Sequence, residues 1–225
     1  MVIAIMSALM LASCSPRGLI DTVIPDGSDL SFELNGNSKH LTSITVRQNG
    51  ERKGRYKVDG ESFSELNGSY GFEAVDLNFD GRLDFRVVSD ASENSVRYLN
   101  FICNSDGTFY SHEGLDALVN PSLNTEEKYI ESTSYVKKFD SAITYENIPR
   151  TYYEVYSTHR FTWERFELRE IARNSITFYS ESTIFCVGTY RIDSYGELSA
   201  VNEDWMSPSE VEEKYGSTGY YLPIE

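Results

Sequence analysis

An acidic bend between two apolar runs stands out in the first half of the chain. Residues 72–88 read Phe72-Glu73-Ala74-Val75-Asp76-Leu77-Asn78-Phe79-Asp80-Gly81-Arg82-Leu83-Asp84-Phe85-Arg86-Val87-Val88. The flanks are short and rich in Phe and Val, which favour strands because such side chains pack well on a pleated surface. The sequence therefore predicts two strands, 72–75 and 85–88, joined by a tight polar loop.

The loop has the oxygen spacing of a calcium site. Oxygen-bearing side chains fall at loop positions 1, 3, 5 and 9, and a glycine at position 6 permits a sharp reversal. Calcium binds about six to eight oxygens, and without a cation close carboxylates repel one another by about 1 kcal/mol per pair in water. The predicted ligands are the side chains of Asp76, Asn78, Asp80 and Asp84, with the backbone carbonyl of Arg82.

Three further residues qualify this prediction. Leu77 and Phe79 alternate with the candidate ligands, which indicates a loop whose other face packs into a core. Val87 occupies position 12, where an EF-hand carries a bidentate glutamate, so the loop is not a full EF-hand. The prediction is a strand-flanked loop whose calcium ion pins a β-connection; the alternative is a metal-free polar turn.

Turn signals around the loop favour a β-rich fold. Asn35-Gly36, Asn49-Gly50, Asp59-Gly60 and Asp106-Gly107 separate alternating runs and predict hairpins, because both turn positions favour positive φ. The predicted fold is mainly β, an antiparallel β-sandwich or meander with the strand-flanked calcium loop and one or two short helices.

Later segments are assigned from their periodicity. Segments 152–156, 175–179 and 184–192 are predicted strands, whereas 115–119, 126–131 and the capped stretch 208–215 are the predicted helical pieces. Segment 162–173 fits both periods, and we interpret it as strand.

The N-terminus has the features of an exported lipoprotein. Residues 2–11 form an apolar run that suits the core of a signal peptide but is too short to span a membrane. The run ends in Leu11-Ala12-Ser13-Cys14, which resembles the lipobox of bacterial lipoproteins, although no Lys or Arg precedes Cys14. We expect a signal peptide over 1–13, a tether over 14–28 anchored through Cys14, and one β-rich domain over 29–225. The alternative is an ordinary cleaved signal peptide.

Cys103 and Cys186 both lie in apolar, strand-like runs. Export to an oxidising compartment would permit a disulfide between them. Two buried free thiols are the alternative, because unpaired cysteine is among the most buried residue types.

The net charge of the chain indicates which classes of partner it can bind. Lys and Arg total 20 against 35 Asp and Glu, a net charge of −15, which repels nucleic acid and anionic lipid and attracts basic proteins. We expect no nucleic-acid binding, membrane contact only through the lipid anchor, and an undetermined oligomeric state.

The three histidines, His40, His112 and His159, fall in no catalytic or zinc motif, so we expect no enzyme. The alternative is a glycosidase that uses two carboxylates as its catalytic groups.

Residues 72–86 resemble the corresponding segment of calcium-binding periplasmic immunity lipoproteins, which inhibit cell-wall hydrolase effectors of bacterial killing secretion systems. A more diffuse likeness extends over roughly 63–171. The resemblance implies an antiparallel β fold similar in topology to periplasmic inhibitors of invertebrate-type lysozyme. It also implies calcium ligation by Asp76, Asn78, Asp80 and Asp84, a location in the cell envelope (facing the periplasm or on the surface of the outer membrane), and a cell-wall hydrolase as partner.

Inhibitors of this kind insert a protruding loop into the hydrolase cleft. By position the resemblance places that loop at 132–141, with Tyr135, Lys137 and Lys138 as candidate contacts. This segment lacks the Gly-rich character of the family, and an ordinary exposed loop is the alternative. A surface lipoprotein that binds carbohydrate or matrix, or a purely structural envelope protein, is the alternative function.

Overall fold

The computed structural model describes residues 18–37, 40–58, 71–92, 95–135, 152–179 and 184–215. Contacts divide the chain into two compact units, Met1–Tyr70 and Gly71–Glu225. All pairings in the three sheets are antiparallel, and in each sheet every strand pairs with its neighbour in sequence. The predicted antiparallel meander is therefore confirmed. None of the helices in the described ranges has the length and apolar character needed to cross a membrane.

The first unit contains one four-stranded sheet, with strands β1 Leu19–Val23, β2 Leu30–Gly36, β3 Leu41–Gln48 and β4 Glu51–Lys57. Strand β1 lies within the stretch predicted as a tether. Alternation along β2 and β3 buries one set of apolar side chains, as period-2 patterning requires. This core contains Leu30, Phe32, Leu34, Leu41, Ile44, Val46 and Val58.

The second unit contains two sheets and both of the described helices. The four-stranded sheet consists of β5 Phe72–Val75, β6 Asp84–Ala91, β7 Val96–Cys103 and β8 Phe109–Ser111. The six-stranded sheet consists of β9 Ser122–Asn124, β10 Tyr129–Tyr135, β11 Tyr152–Glu164, β12 Glu167–Tyr179, β13 Ile184–Ile192 and β14 Leu198–Met206. Helix α1 spans Glu113–Asp116 and helix α2 spans Pro208–Tyr215.

The predicted hairpin turns have mixed outcomes. Asn49 and Gly50 form the β3–β4 turn with φ of 51° and 84°, as predicted. Gly107, with φ of 79°, lies in the β7–β8 turn, which is also confirmed. Asn35-Gly36 is wrong as a turn, because both residues lie in β2 and Gly36 pairs with Leu41 of β3. Asp59-Gly60 lies outside the described residues.

Two helix predictions need correction. Segment 126–131 is a turn that leads into β10, and Lys128 has φ of 58°, which a helix interior does not allow. Segment 115–119 is helical only at its start, because α1 ends at Asp116. The helix at 208–215 is confirmed, and Glu210 accepts a hydrogen bond from the Ser207 amide in a capping box.

Segment 162–173 is strand, as interpreted, but it includes a turn. Arg165 has φ of 61° and reverses the chain between β11 and β12, so Trp163 pairs with Leu168 across a hairpin. The two 13-residue strands continue well beyond the predicted ends. This long hairpin forms the middle of the six-stranded sheet.

Candidate functional site

The acidic loop wraps around the Asp76 carboxylate. Its two oxygens accept hydrogen bonds from the amides of Asp80 (3.1 Å) and Gly81 (2.8 Å). The Asn78 side-chain oxygen accepts from the same Asp80 amide at 3.2 Å. Phe79 and Gly81 have φ of 59° and 86°, a left-handed conformation that glycine adopts without strain. The loop therefore brings the oxygens of Asp76 and Asn78 round one backbone nitrogen.

Asp80 is held on the outer side of the loop. One of its oxygens accepts from the Arg82 amide at 2.9 Å, and the other accepts from the Asn78 side-chain amide at 2.9 Å. The guanidinium of Arg82 also forms an ion pair with Asp80. A local cation thus offsets part of the negative charge that the loop concentrates.

The side chain of Asp84 is fully buried and connects the loop to the neighbouring strand. Its carboxylate accepts hydrogen bonds from the amides of Leu77 (2.7 Å) and Cys103 (2.8 Å). Burial raises the pKa of Asp84 from 3.8 to about 7, although those two hydrogen bonds oppose the rise, and the nearby charges of Asp76 and Asp80 add to it. Asp84 therefore connects loop, β6 and β7 through its side chain.

The residues fit a calcium ion in donor chemistry, and only partly in arrangement. Asp76, Asn78, Asp80 and Asp84 offer the carboxylate and amide oxygens that a hard cation prefers. Among the described residues, no group of three or more His, Cys, Asp or Glu side chains is placed to hold a metal. To bind the ion, the Asp80 carboxylate would have to give up its ion pair with the Arg82 guanidinium. Calcium ligation by these residues and the Arg82 carbonyl stays a prediction.

The inner face of the loop packs into a core, as the interleaved apolar residues predicted. Leu77 is 1% exposed and Phe79 is partly buried against the same cluster. The cluster joins the loop to α1, β7 and β10 through Ile102, Leu115, Leu118 and Ile130. The loop is therefore part of the core of the second unit.

The same cluster anchors the end of the β11–β12 hairpin. Trp163 and Leu168 pack against it, and the indole N–H of Trp163 donates a 2.9 Å hydrogen bond to the Leu77 carbonyl. The His112 ring meets the Trp163 ring edge-on at 4.8 Å between centroids. Beyond this anchor, Phe166 at the hairpin tip is 82% exposed. The acidic loop thus packs against the turn end of the hairpin, where the Phe166 ring projects into solvent.

A network of polar side chains crosses β10, β11 and β12, and the sequence analysis did not predict it. The hydroxyl of Ser157 lies 2.9 Å from that of Ser134 and 2.8 Å from Nε2 of His159, whose Nδ1 lies 2.7 Å from Glu170. Arg173 binds both oxygens of Glu170. The cluster is revealed only by strand register, because its members lie on three different strands.

This Ser157–His159–Glu170 connectivity is that of a nucleophile, a base and an acid. Ser157 is, however, completely buried in the middle of a sheet, so a substrate cannot reach its hydroxyl. Burial raises the pKa of Glu170, but hydrogen bonds and charges from His159 and Arg173 outweigh it and lower the pKa to about 2. We therefore interpret this series of hydrogen-bonded side chains as a structural network and not as a catalytic site.

The remaining predicted residues are placed as follows. Cys103 and Cys186 are buried free thiols, so the disulfide is not formed in the structure. Burial raises the pKa of Cys103 to about 11, which keeps it a poor nucleophile. Tyr135 ends β10 and pairs with Tyr156. Cys14, Lys137 and Lys138 lie outside the described residues.

Comparisons with known proteins show the fold alone. No protein-family model matches the sequence, and no curated protein matches it. Among solved structures, the chain is similar to one described as "Structure of a Xanthomonas Type IV Secretion System related protein". The two share 13% identity with a TM-score of 0.54, over 80% of this chain and 93% of the other.

Proposed function

We propose that this protein is a calcium-stabilised envelope lipoprotein that binds and inhibits a cell-wall hydrolase. The observation that carries the proposal is the Trp163–Leu77 hydrogen bond, through which the acidic loop holds the turn end of the exposed hairpin. A hairpin tip that is held at its last strand pairs can enter a partner's cleft at a low entropic cost. The loop would act as a structural support, and the hairpin as the binding element.

Three observations support the proposal. One solved structure of similar fold is described as a Xanthomonas type IV secretion system related protein, and the proposed partner is an effector of a bacterial secretion system. The net charge of −15 would attract a basic hydrolase and speed their association. The lipobox-like Cys14 would hold the protein in the cell envelope.

Calcium would complete the loop in this proposal. Asp76, Asn78, Asp80 and Asp84 with the Arg82 carbonyl would hold the ion, whose charge would offset the repulsion among the carboxylates. The chain's own residues would still define the loop, because Asp76 and Asp84 already accept backbone hydrogen bonds there.

The test is inhibition of purified hydrolases. The protein is added to lysozymes of the invertebrate, chicken and goose types and to hydrolase effectors of killing secretion systems, and peptidoglycan clearing is followed. We expect saturable inhibition of at least one hydrolase, weakened when a chelator removes calcium. An unrelated protein of similar net charge controls for electrostatic sequestration. Full activity of every hydrolase at a large excess of the protein contradicts the proposal.

A carbohydrate-binding role is the second candidate, favoured by one aromatic pair. Trp205 is 52% exposed, and its ring lies 5.1 Å from that of Tyr179. Exposed paired rings offer a stacking surface for sugars. Glycan-array binding that is lost in Trp205→Ala, with no hydrolase inhibition, would favour this candidate.

A further inference from the structure

We propose that the tips of two neighbouring hairpins, segments 164–169 and 192–198, together form the contact surface for a cationic protein. We call this surface the two-tip surface. The inference rests on the proposed function, because it names where the hydrolase binds. It differs from the segment 132–141 that the family resemblance suggested.

Each tip projects an aromatic side chain into solvent. Phe166 is 82% exposed at the β11–β12 tip, and Tyr195 is 90% exposed at the β13–β14 tip. Leu198, beside the second tip, is 48% exposed. Exposed aromatic anchors of this kind dominate binding energy at protein interfaces. Burial of the two rings would stabilise a complex.

The two tips border one groove. The groove has a volume of about 830 Å³ and takes lining residues from both hairpins, among them Phe166, Leu168, Ile192 and Leu198. Apolar and charged side chains both line this groove, and the two exposed rings belong to the tips that border it. A partner side chain could enter the groove while the rings enter the partner.

The tips are ordered by their own hydrogen bonds. In the second tip, one oxygen of Asp193 accepts from the amides of Tyr195 (2.8 Å) and Glu197 (3.0 Å). In the first tip, Arg169 forms a 2.7 Å ion pair with Glu164. A surface that is ordered before binding loses less conformational entropy in the complex.

Charge identifies the class of partner. The two segments carry acidic Glu164, Glu167, Asp193 and Glu197 against basic Arg165 and Arg169, on a chain of net charge −15. A cationic protein complements this surface, whereas a second copy of the chain would bring like charges together. We therefore assign the surface to a basic partner and not to self-association.

The experiment compares three forms of the full chain against the hydrolase panel. The double variant Phe166→Ser/Tyr195→Ser removes both rings, and Ile24→Ser removes an apolar side chain that is 65% exposed in the other unit. Circular dichroism and melting curves establish that all three are folded. We expect the double variant to inhibit at least tenfold more weakly, and Ile24→Ser to inhibit like the wild type.

The outcomes separate the two proposals. Inhibition by the wild type with a tenfold loss confined to the double variant supports both. Equal inhibition by all three forms overturns the two-tip surface and leaves the proposed function standing. Absence of inhibition by the wild type overturns the proposed function, and the two-tip surface falls with it.

Discussion

The indole nitrogen of Trp163 and the carbonyl oxygen of Leu77 are joined by a 2.9 Å hydrogen bond between residues 86 positions apart in the chain. Leu77 is fixed on its other side, because its amide donates to the buried Asp84 carboxylate. The turn end of the hairpin and the buried Asp84 side chain are therefore both hydrogen-bonded to the backbone of Leu77.

Replacing Trp163 by Phe should destabilise the second unit by about 1–3 kcal/mol, because the buried Leu77 carbonyl loses its donor while the ring volume largely remains. Urea denaturation measures the effect. Trp205→Phe is the matched control, since that indole is 52% exposed, and it should change stability by less than about 0.5 kcal/mol. Equal stability of the two variants would contradict the role of Trp163.

Calcium should raise the melting temperature by about 5–10 °C at a hundredfold excess over its dissociation constant, because a ligand bound only to the folded state contributes about 2.7 kcal/mol. Differential scanning fluorimetry with calcium and with a chelator measures this shift. Asp76→Asn should abolish the response, whereas Asp106→Asn, at the β7–β8 turn, should retain it. Identical melting with and without calcium would refute the metal loop.

Asp84→Asn should cost about 1–3 kcal/mol, because an amide offers only one acceptor for the two backbone donors, Leu77 and Cys103. Urea denaturation gives the loss, and faster hydrogen exchange at one of those two amides locates it. Asp90→Asn is the control, since Asp90 lies exposed in the same strand. Unchanged exchange at both amides would show that the carboxylate does not tie the loop to β7.

Glu170 should stabilise the fold in a pH-dependent way. Its folded pKa of about 2 lies below the ordinary 4.5, so its contribution is present above pH 4.5 and is lost as the pH falls towards about 2. Glu170→Gln should therefore be less stable than wild type at pH 7, by roughly 3 kcal/mol at most, with a gap that closes in acid. Urea titrations between pH 7 and pH 3 test this. Glu51→Gln, exposed in β4, is the control and should change the stability at pH 7 by less than about 0.5 kcal/mol.

Local patterns in the sequence predicted the acidic loop and its flanks correctly. Loop residues interact within nine positions, so spacing alone indicates strands on both sides and an inward-facing Leu77. Ser207 before a first-turn proline, Pro208, predicted α2 for the same reason. Hydrogen bonds between residues close in sequence, and the periodicity of apolar residues, can be recognised from the sequence alone.

What the sequence could not provide depends on strand register. The neighbours of His159 are Ser157 on its own strand and Glu170 across the hairpin, and only the paired strands bring them together. The role of Asp84 was missed in the same way, since Cys103 reaches it from the next strand. Segment 126–131 was mistaken for a helix because a charged residue, Lys128, and not a glycine, occupies the left-handed position of its turn.

Because each described strand is hydrogen-bonded to the one that precedes or follows it in the chain, each pairing in a described sheet closes only the segment between two consecutive strands. Short loops lose little chain entropy on closure, and proteins with such local connectivity fold quickly for their class. Each of the described sheets can thus grow by one strand at a time as successive strands of the chain are synthesised.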